Sequence, residues 1–242
     1  QSFEYLTPGY ETCIVPATGT INIDVEGQNF DSIGKRTTDV WDGEPEGVYV
    51  PSNIKASFSS ITNKAEIFIA GAKYDKTLTP FAVRSNELDV VQYGSDDTKT
   101  HRKIKHILGA NQHDKVGRLL CNELYTVGQG GWSGFPPHKH DTDRLPDETR
   151  HDETYNYRFR PNHGFGFQLF QQVGDKVGKA EHIVNGSTVI IEAYSLDYLN
   201  QRSTVLNRSF VVDDTFNAPT SELGSIFHYY IDSNNVTWVN AS

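Results

Sequence analysis

Short segments of alternating hydrophobic and polar residues follow one another along the chain. Ile21, Ile23 and Val25, for example, fall on one face of an extended segment, while Asn22 and Asp24 fall on the other. This period of two is typical of a half-buried β-strand. Gly, Pro, Asn and Asp separate such segments, and only residues 112–119 suggest a short helix. The pattern predicts an all-β protein built as a sandwich or a barrel.

Composition narrows the classes of partner. The chain has 242 residues, enough for one large all-β domain or two of ordinary size. Its 22 basic and 31 acidic residues give a net charge of −9, which argues against nucleic acid and against a polybasic membrane surface as partners. The only two cysteines, Cys13 and Cys121, are predicted to be small core residues, and their number fits a cytoplasmic protein.

The two halves of the chain differ in their histidine content. Residues 1–100 contain no histidine, and all nine histidines lie between His101 and His228. The charged stretch 96–118 between these regions is predicted to be a solvated connection between two β-units. Any metal chemistry that uses imidazole is therefore expected in the second half.

A candidate metal site stands in the second half. His138 and His140 follow a Pro-Pro turn, and on a strand two residues at i and i+2 point to the same side. Downstream, Glu153, Tyr155 and Tyr157 alternate on one face of another predicted strand. Two histidines and one carboxylate suit a divalent ion with open positions. The alternative, a surface His-x-His pair that binds no metal, stays open on spacing alone.

Several motifs resemble one known family. The segments PPHKHD (136–141), ETYNYRF (153–159) and GFGFQ (164–168), together with VWDGEPEGVYVP (40–51) and the approach RLLCNELYTVGQGGWSGF (118–135), are similar to 5-deoxy-glucuronate isomerases of inositol catabolism. That family is related to the 4-deoxy-5-threo-hexosulose-uronate ketol-isomerases. The resemblance implies a bicupin of two jelly-roll barrels. Residues 1–112 would form a barrel without metal ligands, and residues 113–242 a barrel with the metal site.

The resemblance also implies a ligand set. In the family one divalent ion is held by the two histidines, the glutamate and a later histidine, which assigns His138, His140 and Glu153 here. Zn or Mn is the expected ion, with Fe or Ni as alternatives. The loop that carries the family's fourth ligand is missing between Glu192 and Ala193. Either this protein has a deletion there or residues are missing from the sequence, and the absence of methionine fits the second explanation.

The implied reaction is an aldose–ketose isomerisation, 5-deoxy-D-glucuronate to 5-dehydro-2-deoxy-D-gluconate. The ion would polarise the carbonyl, and a general base would move a proton between adjacent carbons. The candidates for this base are Glu148, Tyr155 and Tyr157. The substrate carboxylate needs a cation, for which the candidates are Lys139, Arg144 and Arg158, although the phase of Arg158 puts it opposite Glu153.

Two other functions remain open at this level. The same ligands suit a non-haem Fe(II) oxygenase, and the missing loop favours a non-catalytic cupin that binds a sugar acid. A small sugar acid is the expected partner, and a homo-oligomer is expected because cupins often pair edge strands.

Other residues receive structural interpretations. Phe165, Phe167 and Leu169 are predicted to lie in the core, His163 in a solvated turn and His182 at a strand end on the surface.

Overall fold

The structure is a computed structural model. It describes residues 2–128, 130–138, 143–144, 147, 149–171, 176–191, 206–212 and 223–232. Residues 134–137, 206–212 and 223–232 are described by their backbone alone.

Strands dominate the described residues, as the sequence predicts. These described residues form eighteen strands: β1 (Ser2–Tyr5), β2 (Tyr10–Thr18), β3 (Ile21–Val25), β4 (Gln28–Ile33), β5 (Gly47–Val50), β6 (Ala56–Ser60), β7 (Glu66–Lys73), β8 (Phe81–Val83), β9 (Asp89–Tyr93), β10 (Arg102–Leu108), β11 (Leu119–Thr126), β12 (Trp132–His138), β13 (His151–Arg158), β14 (Phe165–Gln171), β15 (Lys179–Val184), β16 (Thr188–Ile191), β17 (Leu206–Val212) and β18 (Leu223–Asp232). Two short 3₁₀ helices cover Val40–Asp42 and Ala110–Gln112. None of the described helices is long and apolar enough to cross a membrane.

The chain divides into two compact units. The first comprises Gln1–Asp89, Lys105–Glu123 and Tyr229–Val236, and the second Val90–Ile104, Leu124–His228 and Thr237–Ser242. This division falls within β9, β10, β11 and β18. The predicted boundary after residue 112 stays a prediction.

The first unit contains two four-stranded sheets, with strand orders β1-β6-β3-β4 and β7-β2-β5-β8. The buried residues of β3 are Ile21, Ile23 and Val25, which confirms the predicted alternation. They pack with residues of the other sheet, such as Ile14 and Val48, in one hydrophobic cluster. The core of this unit therefore lies between its two sheets.

The first unit also contains buried ionic groups. The guanidinium of Arg36 donates two hydrogen bonds, at 2.7 and 2.5 Å, to the carboxylate of Glu123, and both side chains are buried. The carboxylate of Glu11 accepts the Tyr49 hydroxyl at 2.6 Å and the backbone N–H of Leu119 at 2.7 Å. Such fully hydrogen-bonded charges are tolerated inside a protein.

The sheets that carry the second unit have six and four strands. Their orders are β16-β13-β18-β11-β10-β9 and β12-β17-β14-β15. Ile104, Leu124, Tyr155 and Tyr157 of the larger sheet pack with Ile183 of β15 in one buried cluster. Because the cluster draws on both sheets, β13 presents one of its faces to the interior of this unit.

Two expectations about residues 96–118 are wrong. The stretch is not a solvated connection, because it contains β10, whose Ile104, Ile107 and Leu108 are buried. The charged residues of this stretch are not all in solvent, because Lys105 is only 7% exposed and pairs with Glu44 at 2.6 Å. The short helix expected over 112–119 is instead a 3₁₀ helix that ends at Gln112 and is followed by turns.

Candidate functional site

The site is built on β13, and its geometry begins with the alternation of that strand. Glu153, Tyr155 and Tyr157 are 3%, 4% and 0% exposed, whereas Thr154 and Asn156 between them are half-buried. The predicted phase of the strand is therefore confirmed. It places a carboxylate among aromatic side chains on the interior face, where an uncompensated negative charge is costly.

The Glu153 carboxylate has a different neighbour at each oxygen. Its Oε2 accepts a hydrogen bond from the Tyr155 hydroxyl. Its Oε1 lies 3.5 Å from Nε2 of His151, and the side chains of His151 and Glu153 are 12% and 4% exposed. A histidine, a carboxylate and a phenol thus lie together on one face of one strand.

Tyr157 has a different partner from Tyr155. Its hydroxyl donates a hydrogen bond of 2.5 Å to Oε1 of Gln168, which is completely buried on β14. The rings of Tyr155 and Tyr157 are stacked, with centroids 6.0 Å apart. Tyr157 therefore links the two sheets, and of the two tyrosines it is Tyr155 whose hydroxyl contacts Glu153.

The other predicted residues are distributed as follows. His138 is half-buried at the end of β12, where its backbone is opposite Asn207 of β17. Arg144 is exposed, and Arg158 is half-buried on the face of β13 opposite Glu153. His140, Lys139 and Glu148 lie outside the described residues. Of the predicted set, the structure brings together Glu153 and Tyr155.

The donors on β13 suit a divalent cation. Imidazole nitrogen and carboxylate oxygen are the ligands that first-row divalent ions prefer, and Glu153 and His151 present one of each. A cation beside Glu153 would also offset the cost of burying its charge. Among the described residues no group of three His, Cys, Asp or Glu side chains comes together. The donors on β13 would therefore need His138, His140 or open positions to complete a site.

Two residues at the site are missing from the sequence-based candidates. His151 precedes Glu153 by two, the same spacing that selected His138 and His140, so the period of β13 could have found it. Gln168 lies between Phe167 and Leu169, and its hydrogen bond to Tyr157 joins positions 11 apart in sequence.

The predicted core role of the β14 aromatics is wrong. Phe165, Phe167 and Leu169 are only half-buried, and the buried positions of β14 are Gly166 and Gln168. The strand turns its polar face inward because Gln168 binds Tyr157. Phe165 and Phe167 instead pack around the exposed His182, with ring centroids 5.4 and 5.7 Å from the imidazole.

The predicted positions of the two cysteines and of His163 are confirmed, and that of His182 is confirmed in part. Cys13 and Cys121 are free and fully buried, and His163 lies exposed in a turn, all as predicted. His182 is on the surface, but in the middle of β15 rather than at a strand end.

Comparison with known proteins identifies the family. The model of the KduI/IolB family matches residues 1–195, a range that includes every candidate site residue. The chain belongs to the KduI/IolB family. A 5-deoxy-glucuronate isomerase from Bacillus licheniformis is 31% identical to this chain over 194 residues, covering 80% of this chain and 69% of the relative. One from Bacillus subtilis is 30% identical over 184 residues, covering 76% and 66%.

Solved structures agree on the fold of this KduI/IolB member. An IolB-like protein from Salmonella typhimurium LT2 superposes with a TM-score of 0.80 at 20% identity, over 99% of this chain and 81% of that protein. A Bacillus subtilis oxalate decarboxylase mutant gives 0.56 at 10% identity, over 98% and 69%. The fold is therefore all-β and cupin-like.

Family membership also decides the class of protein. The chain is an isomerase of the aldose–ketose type. Neither the oxygenase nor the non-catalytic alternative is retained.

Proposed function

We propose that this isomerase converts 5-deoxy-D-glucuronate into 5-dehydro-2-deoxy-D-gluconate in the cytoplasm, as a step of myo-inositol catabolism. Relatives named 5-deoxy-glucuronate isomerase support this substrate, at about 30% identity over most of the chain. The observation that carries the proposal is the buried Glu153 carboxylate with the Tyr155 hydroxyl on one oxygen. It places an anionic ligand and a proton donor side by side.

One divalent ion completes the proposed site, held by His138, His140 and Glu153. When bound, it supplies Lewis-acid polarisation of the substrate's carbonyl and neighbouring hydroxyl. The alternation of β13 supports the assignment of Glu153, since it turns the carboxylate to the interior. Zn or Mn is the proposed ion, with Fe or Ni as alternatives.

The protein's own residues then move protons. An aldose–ketose isomerisation takes the proton from the hydroxyl-bearing carbon beside the aldehyde and returns a proton to the former aldehyde carbon. The hydroxyl proton moves to the former carbonyl oxygen, so no external oxidant or reductant is needed. Among the candidates Glu148, Tyr155 and Tyr157, the geometry favours Tyr155 for transfer between the oxygens, because its hydroxyl lies at Glu153, the proposed ligand of the ion, whereas the Tyr157 hydroxyl binds Gln168 of β14.

A substrate carboxylate needs a positively charged side chain beside it, because the chain as a whole has a net charge of −9. The exposed Arg144 supports this role better than Arg158, which lies on the face of β13 opposite Glu153. Lys139, next to His138 in sequence, is the second proposed contact. A guanidinium suits a carboxylate because its planar fork donates two parallel hydrogen bonds.

We further infer that each unit is one jelly-roll barrel of a bicupin. The first unit, with two sheets around one hydrophobic cluster, supports this arrangement. A homo-oligomer stays a prediction. Exposed apolar residues on edge strands support it, namely Val184 of β15 and Ile190 of β16, which are 44% and 68% exposed.

Metal removal tests the proposed function. The protein is stripped of metal with a chelator, then assayed without oxygen on 5-deoxy-D-glucuronate before and after addition of Mn(II), Zn(II), Fe(II) or Ni(II). We expect the stripped protein to be inactive and at least one ion to restore formation of the keto product. Full activity in the stripped protein would contradict metal dependence. Inactivity with every ion, in a protein that retains its fold and binds metal, would contradict the substrate.

A further inference from the structure

We propose that His151 is an additional protein ligand of the divalent ion, beside Glu153. This inference rests on the proposed function, which places the ion at Glu153. The ligand set implied by resemblance includes a fourth side chain on a loop that is missing between Glu192 and Ala193. His151 offers a nitrogen ligand from β13 itself, where the strand already holds a carboxylate.

The spacing of the two side chains suits shared coordination. A tetrahedral ion with nitrogen and oxygen ligands at roughly 2.0–2.1 Å holds any two ligand atoms about 3.4 Å apart. Nε2 of His151 and Oε1 of Glu153 lie 3.5 Å apart. This separation exceeds the roughly 2.7–3.2 Å of a direct N–H···O hydrogen bond. The two atoms are therefore spaced as neighbouring ligands of one ion.

The strand fixes this arrangement. Residues 151 and 153 point to the same side of β13 because side chains alternate along a strand. The Tyr155 hydroxyl binds Oε2, so the carboxylate presents its other oxygen, Oε1, to the imidazole. Outer hydrogen bonds of this kind orient the ligands of metal sites. Besides its proposed part in proton transfer, Tyr155 thus positions Glu153.

The rival explanation is an ion pair between a protonated His151 and Glu153. An ion pair would contribute to stability and would not place the imidazole nitrogen on a metal. The two explanations differ in whether the side chain at position 151 bonds directly to the ion. A cysteine at this position would report such a bond, because a thiolate bound to Co(II) gives a strong charge-transfer absorption band in the near ultraviolet.

The experiment compares His151→Cys and His151→Ala with matched variants of His182, an exposed histidine of the second unit that lies on β15. Each protein is stripped of metal and titrated with Co(II) in competition with a chromophoric chelator. We expect His151→Cys to gain the charge-transfer band and His151→Ala to bind Co(II) at least about 10-fold more weakly. We expect His182→Cys and His182→Ala to match the unsubstituted protein in affinity and to show no new band.

The outcomes separate the two proposals. If the unsubstituted protein binds Co(II) but His151→Cys shows no new band and His151→Ala binds as tightly as His182→Ala, the ligand role of His151 is wrong and the proposed function stands. If the unsubstituted, folded protein binds none of the ions tested, the proposed metal site itself is wrong. A new band in His151→Cys alone, even with reduced stability, supports direct ligation, because an ion pair would not produce it.

Discussion

The Tyr155 hydroxyl donates a hydrogen bond to Oε2 of Glu153, two residues earlier on the same strand. Both side chains are buried on the interior face of β13. The contact restricts rotation of the carboxylate and leaves Oε1 on the side of His151. One strand thereby supplies a carboxylate, the group that orients it and a neighbouring imidazole.

Removing that hydroxyl should weaken metal binding. We expect Tyr155→Phe to lower the affinity for the divalent ion and kcat by about 10–100-fold, because Glu153 would lose the group that orients it. The measurement is metal affinity by chelator competition, together with turnover of the metal-loaded protein. The stacked ring of Tyr155 remains in this variant, so its packing is preserved.

Tyr157→Phe is the matched control, since its hydroxyl binds Gln168 rather than Glu153. We expect it to lower the free energy of unfolding by about 0.5–1.5 kcal/mol, because it removes one buried hydrogen bond. Metal affinity should stay the same. Equal losses of metal affinity in the two variants would show that the hydrogen bond to Glu153 has no special role.

Removing one partner of the buried ion pair of Arg36 and Glu123 should strongly destabilise the first unit. We expect Arg36→Met to lower the free energy of unfolding by about 3–5 kcal/mol, because it leaves the Glu123 carboxylate buried without its main counter-charge. The double variant with Glu123→Leu should recover most of this loss. Urea unfolding of both proteins measures the difference.

Lys55 provides the control for that experiment. It pairs with Glu4 at 2.6 Å, but the side chains are 55% and 60% exposed. Lys55→Met should therefore change the free energy of unfolding by about 1 kcal/mol or less. A loss for Arg36→Met no larger than that of Lys55→Met would contradict the importance of burial.

His106 should make stability depend on pH. Burial lowers the pKa of His106, and the nearby Asp89 only partly opposes this. The unfolded chain, whose histidines titrate near about 6.5, therefore binds this proton first as the pH falls. The free energy of unfolding should decrease as the pH drops below that value, and this contribution should level off below the pKa of the folded state.

The variant that tests this is His106→Gln, with His163→Gln, in an exposed turn, as the control. Urea midpoints at pH 7.5 and 5.5 give the pH dependence of each protein. We expect His106→Gln to lose less stability than the unsubstituted protein between these values, and His163→Gln to behave like the latter. An unchanged pH dependence in His106→Gln would contradict the assignment.

The elements that the sequence predicted best are strands with one buried face. Alternation alone located Glu153, Tyr155 and Tyr157 on the interior face of β13, because burial of one face imposes a period of two. Burial alternates in the same way along β3. The class of fold and the orientation of the β13 candidates could thus be predicted from the sequence.

Other features depend on contacts that a local pattern does not contain. β10 has a charged sequence but is buried, since the Lys105 ammonium pairs with Glu44, which is distant in sequence. β14 turns Gln168 inward because Tyr157 of another strand binds it. The hydrophobicity of Phe165 and Phe167 therefore predicted that their face of β14 is buried, whereas the opposite face is. His151 is an exception, because the period of β13 places it on the same face as Glu153 and local sequence is enough to identify it.

Substitution of Glu153 tests whether this carboxylate holds the divalent ion that turnover requires. Glu153→Gln is compared with Glu181→Gln, a glutamate of β15 paired with Lys179. Formation of the keto product from 5-deoxy-D-glucuronate and the metal content of the same samples are both measured. This role of Glu153 predicts that Glu181→Gln resembles the unsubstituted protein, while Glu153→Gln loses its ion and more than about 100-fold of its turnover. A folded Glu153→Gln protein that keeps both stoichiometric metal and turnover would contradict it.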